Sequence, residues 1–342
     1  MLDTRHGFPH APLWPYETPI EPQPRLAEAI GAREVLIKRD DCNGLAFGGN
    51  KVRQLEYYIG DALSKGADTV LMTGAVQSNF VRTAAAACNR YGLTCHIQLE
   101  NRVDKDDPEY RNSGNVLLNR VLGATLHYFN EDGDEAAADR KLSVLADKLR
   151  ADGAKPYIVP MHPDHDPIGA LGYIDAAREL IKQIESLPTM PDRIFVGSGS
   201  GNTHAGLVYG LRKYGCSIPV SGICVRRAES LQRPRIHQRC EQLAAMFEEE
   251  SPLSASDIAV DDSFLVPGYG QAGPSAIEAM QICARMEGLI LDPVYTAKVM
   301  AGLISHSRRE PDQNLLFIHT GGSPALFAYA NDIRRDVLGD PD

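Results

Sequence analysis

The stretch Phe47-Gly48-Gly49-Asn50-Lys51-Val52-Arg53 sets a lysine one residue after a pair of glycines and an asparagine, and the reading of that lysine decides how the rest of the chain is read. A lysine amine can condense with an aldehyde to a Schiff base, a bond that exchanges with the amine of a substrate. Gly48 and Gly49 let the backbone bend and come close to a ligand. Taken alone, Gly-Gly-Asn-Lys is also the composition of a solvated surface turn. What the chain offers elsewhere therefore matters.

Two other segments answer the first. Thr69-Val70-Leu71-Met72-Thr73 has the pattern of a short buried strand and Val81 to Tyr91 that of an alanine-rich helix, with Gly74-Ala75-Val76-Gln77-Ser78-Asn79 between them. Free N–H groups at a helix start, joined by the side chains of Ser78 and Asn79, make a receptor for a carboxylate, which Gln77 and Ser78 would hold. Ser and Asn are also ordinary helix caps, and one residue can serve both ends. Further on, Arg193-Ile194-Phe195-Val196 runs through Gly197-Ser198-Gly199-Ser200-Gly201-Asn202-Thr203 into a helix-like start at Thr203-His204-Ala205-Gly206. Successive small residues there offer consecutive N–H groups to an anion, though a flexible crossover loop has the same composition. The loop has neither the Gly-Lys-Ser/Thr ending of a Walker loop nor the spacing of a dinucleotide fingerprint. Lysine, carboxylate turn and anion loop together point to a pyridoxal phosphate site and to an enzyme.

Composition bounds the remaining classes. The chain has 342 residues, 43% of them hydrophobic, enough to bury a large core, most naturally as two domains. A net charge of −10 disfavours nucleic-acid binding, which needs a basic face. No run of about 18 apolar residues is present, so a membrane span is not expected, and Met1-Leu2-Asp3-Thr4-Arg5-His6 lacks the form of an export signal. Seven cysteines without paired C-x-x-C spacing indicate neither a disulfide framework nor a zinc site, which fits a cytoplasmic location. Apolar runs at Val35-Leu36-Ile37, Thr69 to Thr73, Thr94 to Leu99, Ile194-Phe195-Val196, Val220 to Val225 and Leu315 to Ile318 alternate with helix-like stretches, which predicts an α/β fold of mostly parallel sheets. The proline-rich lead from Pro9 to Pro24 reads as an extended arm, with Trp14 anchoring it or meeting another subunit.

These segments in this order resemble the D-cysteine desulfhydrase and 1-aminocyclopropane-1-carboxylate deaminase family of pyridoxal phosphate enzymes. The resemblance covers nearly the whole chain. It takes in Thr18-Pro19, Ile37-Lys38-Arg39-Asp40-Asp41, Gly48 to Glu56, Gly74 to Asn79, Pro267-Gly268-Tyr269-Gly270, Leu291-Asp292-Pro293-Val294-Tyr295-Thr296 and Phe317-Ile318-His319-Thr320-Gly321-Gly322. It implies a fold of the tryptophan synthase β type, two open mostly parallel sheet domains with the active site in the cleft. The expected division is 1–52 plus 164–342 as the large cofactor-binding domain and 53–163 as an inserted small domain, in a homodimer. The resemblance also implies that Lys51 bonds to the cofactor aldehyde, Asn79 meets its phenolic oxygen, Gly199, Ser200, Gly201, Asn202 and Thr203 hold its phosphate, and Thr320 meets its ring nitrogen. Ser78 would face the substrate and Tyr269 and Tyr295 would line the reacting face. A neutral hydroxyl at the ring nitrogen leaves the ring a weaker electron sink than a carboxylate would, which favours elimination.

Within the family, ring opening goes with Glu after the tyrosine of Pro-Val-Tyr and Leu before the last Gly-Gly, whereas this chain has Thr296 and Thr320. That places carbon-sulfur elimination first and 1-aminocyclopropane-1-carboxylate deamination second. Two departures bear on the substrate. Phe80 stands where relatives carry His or Gln, and Met161-His162-Pro163-Asp164-His165-Asp166-Pro167 replaces a shorter glycine- and serine-rich turn. His162 and His165 could meet a sulfonate, which adds L-cysteate to D-cysteine as a candidate substrate. No metal is expected at the two histidines. From another class, the chain could be a non-catalytic relative that binds an amino acid.

Overall fold

The computed structural model describes residues 3–129 and 135–334. Its strands are, in chain order, β1 Asp3–Arg5, β2 Phe8–His10, β3 Ile20–Pro22, β4 Glu34–Lys38, β5 Thr69–Ala75, β6 Thr94–Glu100, β7 Thr125–Phe129, β8 Pro156–Ile158, β9 Arg193–Ser198, β10 Val220–Cys224, β11 Ala259–Asp261 and β12 Asn314–Ile318. Among the described residues they form a β1–β2 hairpin, a larger sheet in the order β11-β10-β9-β12-β4-β3 and a smaller one in the order β7-β6-β5-β8. Every pair in the two sheets is parallel except β3 with β4. All six apolar runs picked out in the sequence are strands. Parallel strands covered on both faces need continuous apolar runs, and β5 is buried at every position.

Helices Leu171–Ile184, Asn202–Lys213 and Glu229–Met246 contribute to the apolar core on one face of the larger sheet, and Pro274–Glu287 with Thr296–Arg309 to the core on the other. A further core joins the smaller sheet to the helix Asn79–Tyr91, whose alanines lie flush against β5 and β6. The helix Lys51–Ser64 lies between the two halves, touching Asn79–Tyr91 on one side and Leu171–Ile184 on the other. The arm expected from Pro9 to Pro24 is only partly extended chain. Its end, β3, adds an antiparallel edge to β4, and the ring of Trp14 packs over Gly44.

Strand order fixes where a ligand can bind. In the larger sheet the chain steps outward from β9 through β10 to β11, while β12 lies on the other side of β9. In the smaller sheet it steps from β5 through β6 to β7, while β8 lies on the other side of β5. Both reversals leave a crevice at the carboxyl ends of the strands. The loops that open there are Gly199 to Thr203 after β9, Thr320 after β12, and Gly74 to Asn79 at the end of β5.

Candidate active site

One cavity between the sheets is lined by Asn50, Lys51, Ser78, Asn79, Phe80, Gly199, Ser200, Gly201, Thr203, Tyr269, Tyr295 and Thr320, residues scattered through most of the sequence. Lys51 opens the helix Lys51–Ser64. The turn before it is left-handed at four successive residues, with φ of 45° at Ala46, 68° at Phe47, 62° at Gly48 and 110° at Gly49. At Gly49 a β-carbon would lie 2.8 Å from the Thr320 carbonyl oxygen, so only glycine fits. Fully buried Arg82 donates to the carbonyls of Ala46 and Gly48 from below the turn. The Lys51 amine lies 3.5 Å from Gln54 Oε1 and 5.2 Å from the centre of the Phe80 ring, and makes no ion pair with a carboxylate among the described residues. Burial alone lowers it to about 8.

Next to Lys51, Arg53 is held from two sides, by Asp40 at 2.9 Å and Glu179 at 2.8 Å. Thr18, Lys38 and Tyr173 close the network around them. These residues account for much of the Thr18 and Lys38-Arg39-Asp40 motif, whose work is to seat the first turn of the lysine helix on β4.

Gly201 enters its helix at φ 109°, and the first helical bond is donated by the Ala205 N–H to the Gly201 carbonyl at 2.8 Å. The N–H groups of Ser200, Gly201, Asn202 and Thr203 have no acceptor among the described residues. The Thr203 oxygen accepts from Asn50 Nδ2 at 2.7 Å and Gln54 Nε2 at 2.8 Å, so its own hydrogen is left to donate elsewhere. The Asn202 side chain donates to the Tyr58 hydroxyl at 3.2 Å, and Asn202 is not among the residues that line the cavity.

At the turn after β5, Ser78 both caps its helix, accepting from the Phe80 N–H at 3.2 Å, and lines the cavity. Asn79 Oδ1 accepts from Asn115 Nδ2 at 2.9 Å, which leaves the Asn79 amide hydrogens free to donate. Gln77, expected to hold the substrate carboxylate with Ser78, is not among the residues that line the cavity. Its amide donates to the carbonyls of Tyr110 at 2.6 Å and Ser113 at 3.1 Å, and its oxygen accepts from the Asn115 N–H at 2.9 Å. The side chain is consumed in bracing a neighbouring segment.

The hydroxyls of Tyr269 and Tyr295 meet at 2.7 Å. Burial, and then the neighbouring Tyr269, raise the Tyr295 hydroxyl well above the usual tyrosine range. Lys298 steadies this wall by donating to the carbonyls of Leu265 at 2.8 Å and Gly268 at 2.6 Å. Thr320 faces the cavity, whereas Thr296 is fully buried and bonded to Asp292 Oδ1 at 2.6 Å.

His162 is the second expected contact that the fold does not bring in. Its ring lies outside the cavity, with Nδ1 at 3.2 Å from Asp164, and His165 is exposed. Met161 lines the cavity in its place, and two cations that sequence reasoning missed, Arg102 and Arg226, stand beside it. A signal for both existed, since each lies two residues beyond the end of a parallel strand, β6 or β10, on the edge where ligands bind.

The model of the family described as pyridoxal-phosphate dependent enzyme matches residues 13–321. The D-cysteine desulfhydrases of Salmonella typhi and Salmonella schwarzengrund are each 39% identical over 325 residues, 94% of this chain and 96% of the relative. A crystal structure of an ACC deaminase homologue superposes with a TM-score of 0.86 at 34% identity, over 96% of this chain and 97% of that one. A fungal L-serine ammonia-lyase from Rhizomucor miehei, at 17% identity and a TM-score of 0.63 over 94% of this chain and 98% of that one, shares the fold. The chain belongs to the pyridoxal-phosphate dependent enzyme family. It is a pyridoxal phosphate-dependent lyase, with the D-cysteine desulfhydrases among its relatives, and its cavity fits the cofactor: a buried amine and N–H groups at a helix start that, among the described residues, have no carboxylate partner and no acceptor, for the aldehyde and the phosphate respectively.

Proposed function

We propose that this lyase removes the β-substituent of a small cysteine-like amino acid by α,β-elimination, with D-cysteine or its sulfonate analogue L-cysteate as substrate, giving pyruvate, ammonia and sulfide or sulfite. The observation that carries the reading is the Lys51 amine, held without a carboxylate in the same cavity as Ser78, Asn79 and the tyrosine pair. The name of the Salmonella relatives supports it, and family membership favours an enzyme over a non-catalytic binder.

When bound, pyridoxal phosphate supplies an aldehyde for the substrate amine and a ring that acidifies the α-proton. Lys51 would hold its aldehyde carbon, the Gly199 to Thr203 backbone with the Thr203 hydroxyl its phosphate, Asn79 its phenolic oxygen and Thr320 its ring nitrogen. The Ser78 hydroxyl and the N-terminus of the helix Asn79–Tyr91 orient the substrate carboxylate. Lys51, whose amine lies in the same cavity, would take the α-proton. An amine lowered to about 8 is partly neutral near pH 7 and suits that task. The Tyr269–Tyr295 hydroxyl pair lies on the cavity wall, where it can donate a hydrogen bond to the departing sulfur. The 2-aminoacrylate that is released hydrolyses to pyruvate and ammonia.

Purified, cofactor-loaded protein should release pyruvate from D-cysteine or L-cysteate, with sulfide or sulfite reporting the bond broken, and Lys51→Ala should abolish the reaction. Wild-type turnover in Lys51→Ala would end this assignment. Formation of 2-oxobutyrate from 1-aminocyclopropane-1-carboxylate would favour the second reading, ring-opening deamination, to which the solved ACC deaminase homologue lends support.

Domain boundaries, assembly and location belong to the same proposal. All four strands of the smaller sheet lie within 53–163, which supports the inserted domain. A homodimer is supported by the exposed apolar side chains of Leu117, Val121 and Tyr128, and light scattering would measure the mass in solution. The free thiols of all seven cysteines support a cytoplasmic location, and no helix among the described residues is long and apolar enough to cross a membrane.

A further inference from the structure

Three cationic side chains, Lys51, Arg102 and Arg226, line the cavity, and no carboxylate does among the described residues. Lys51 is accounted for by the cofactor aldehyde. The phosphate is accounted for by the free N–H groups of the glycine-rich loop, and the substrate carboxylate by the Ser78 turn. Arg102 and Arg226 remain, and they come from opposite sheets, one just beyond β6 and the other just beyond β10.

Both stand at the tyrosine wall. The Arg226 guanidinium carbon lies 5.9 Å from the centre of the Tyr269 ring, whose hydroxyl meets that of Tyr295. Arg102 is pinned by two bonds of 2.6 Å to Glu100, and it acts electrostatically on Tyr295. Arg226 shares one carboxylate, Glu135, with two other guanidinium groups: the distances are 2.6 Å for Arg226, 2.7 Å for Arg227 and 3.4 Å for Arg235. Arg227 and Arg235 also donate to the carbonyls of Gly199 and Ser200, so they brace the glycine-rich loop and are spoken for. Among the described residues these three cations share one acid, and Arg226 is the member of the cluster that reaches the cavity. Burial, then repulsion from Arg226 and Arg235, lowers Arg227 to about 10.

In the reaction proposed above, on which this inference rests, the tyrosine wall receives the β-substituent. A thiol asks for little positive charge there, whereas a sulfonate brings a full negative charge and three acceptor oxygens matched to guanidinium donors. We infer that Arg226, assisted by Arg102, is the specificity-determining contact for an anionic β-substituent, and that the substrate class is a 3-sulfonated amino acid such as cysteate. The α-proton passes to Lys51, the bond between the β-carbon and sulfur breaks with its electron pair on sulfur, and sulfite leaves into the field of the two arginines. With one water added, cysteate gives pyruvate, ammonia and sulfite, and no oxidant or reductant is required.

The test uses holoenzyme of wild type, Arg226→Gln and Arg226→Lys. Activity is read as kcat/KM on L-cysteate and D-cysteine, and binding by calorimetric titration with 3-sulfopropanoate and 3-mercaptopropanoate, which lack the reacting amine. Cofactor affinity is followed by absorbance. Glu135 keeps two arginine partners in both variants, so the fold should hold. We expect Arg226→Gln to lose about 10- to 100-fold more kcat/KM on cysteate than on D-cysteine, to erase the preference for the sulfonate ligand, and to keep its cofactor affinity, with Arg226→Lys in between. Equal losses on both substrates, or a loss of cofactor affinity in their place, would overturn the assignment. Wild-type turnover of D-cysteine with none of cysteate would overturn it too, while leaving the lyase reading intact. Absence of pyruvate from either substrate, with the cofactor bound, would end both.

Discussion

Asn50 Nδ2 donates to Thr203 Oγ1 at 2.7 Å, tying the residue before Lys51 to the last residue of the glycine-rich loop across 153 positions of sequence. Gln54, one turn further along the lysine helix, donates to the same oxygen at 2.8 Å. The bond couples the position of the Lys51 amine to that of the glycine-rich loop, as the proposed hold on the cofactor at both ends would require.

Removing the shared oxygen should therefore weaken cofactor binding from both sides. In Thr203→Val the loop loses a donor, and the buried Gln54 amide and the half-buried Asn50 amide lose their acceptor, which costs about 1–3 kcal/mol. We expect the dissociation constant for pyridoxal phosphate, titrated by absorbance, to rise about 10-fold or more, and Thr203→Ser to restore it.

The Lys51 amine sits at about 8, below the ordinary lysine value, because burial disfavours its charge. Only the neutral amine attacks an aldehyde, so the rate of cofactor capture by the free protein should rise with pH and level off above about pH 8 to 9. Stopped-flow absorbance after mixing with pyridoxal phosphate measures it. A profile still climbing steeply at about pH 10, the ordinary lysine range, would show that the amine is not depressed.

Arg53 joins Asp40 and Glu179 in a nearly buried network, and Arg53→Ala leaves two buried carboxylates short of their partner. A loss of about 3–5 kcal/mol in urea denaturation is expected. Burial alone would raise Asp40, but Arg53 and then Lys38 more than offset it and hold the carboxyl below its usual value. A group depressed in the folded state contributes stability above its unfolded value of about 4, and that stability is lost as pH falls through the folded value. Acid unfolding should accordingly begin below about pH 4, and be shallower in Asp40→Asn.

Gly49→Ala tests the left-handed turn. The φ of 110° at Gly49 opposes any side chain, and so does the Thr320 carbonyl oxygen, 2.8 Å from where a β-carbon would lie. The expected cost is about 1–3 kcal/mol of stability, together with a loss of cofactor affinity because Lys51 follows two residues later. Thermal unfolding with and without pyridoxal phosphate separates the two effects.

Much of this was legible before the fold was known. Lys51 between glycine and arginine, and the small residues from Gly197 to Thr203 after an apolar run, are local patterns whose chemistry follows from residue type and from the strand or helix beside them. The strands β7 and β8 were not legible. β7 is an edge strand with a mixed pattern of exposure and β8 spans only Pro156–Ile158, so neither carries a clear apolar signal.

The sequence by itself determined the α/β alternation and singled out Lys51 and the glycine-rich loop as candidates, because each rests on neighbours within a few residues. Only the tertiary structure decided which polar side chains reach the cavity. Gln77 and His162 have suitable chemistry, but partners at Tyr110, Ser113 and Asp164 hold their side chains elsewhere. Arg102 and Arg226 carry no motif, and they enter the cavity because strands from two different sheets end facing one another across the cleft. The periodicity of a chain tells which face a side chain occupies, and contacts between distant segments settle what that face meets.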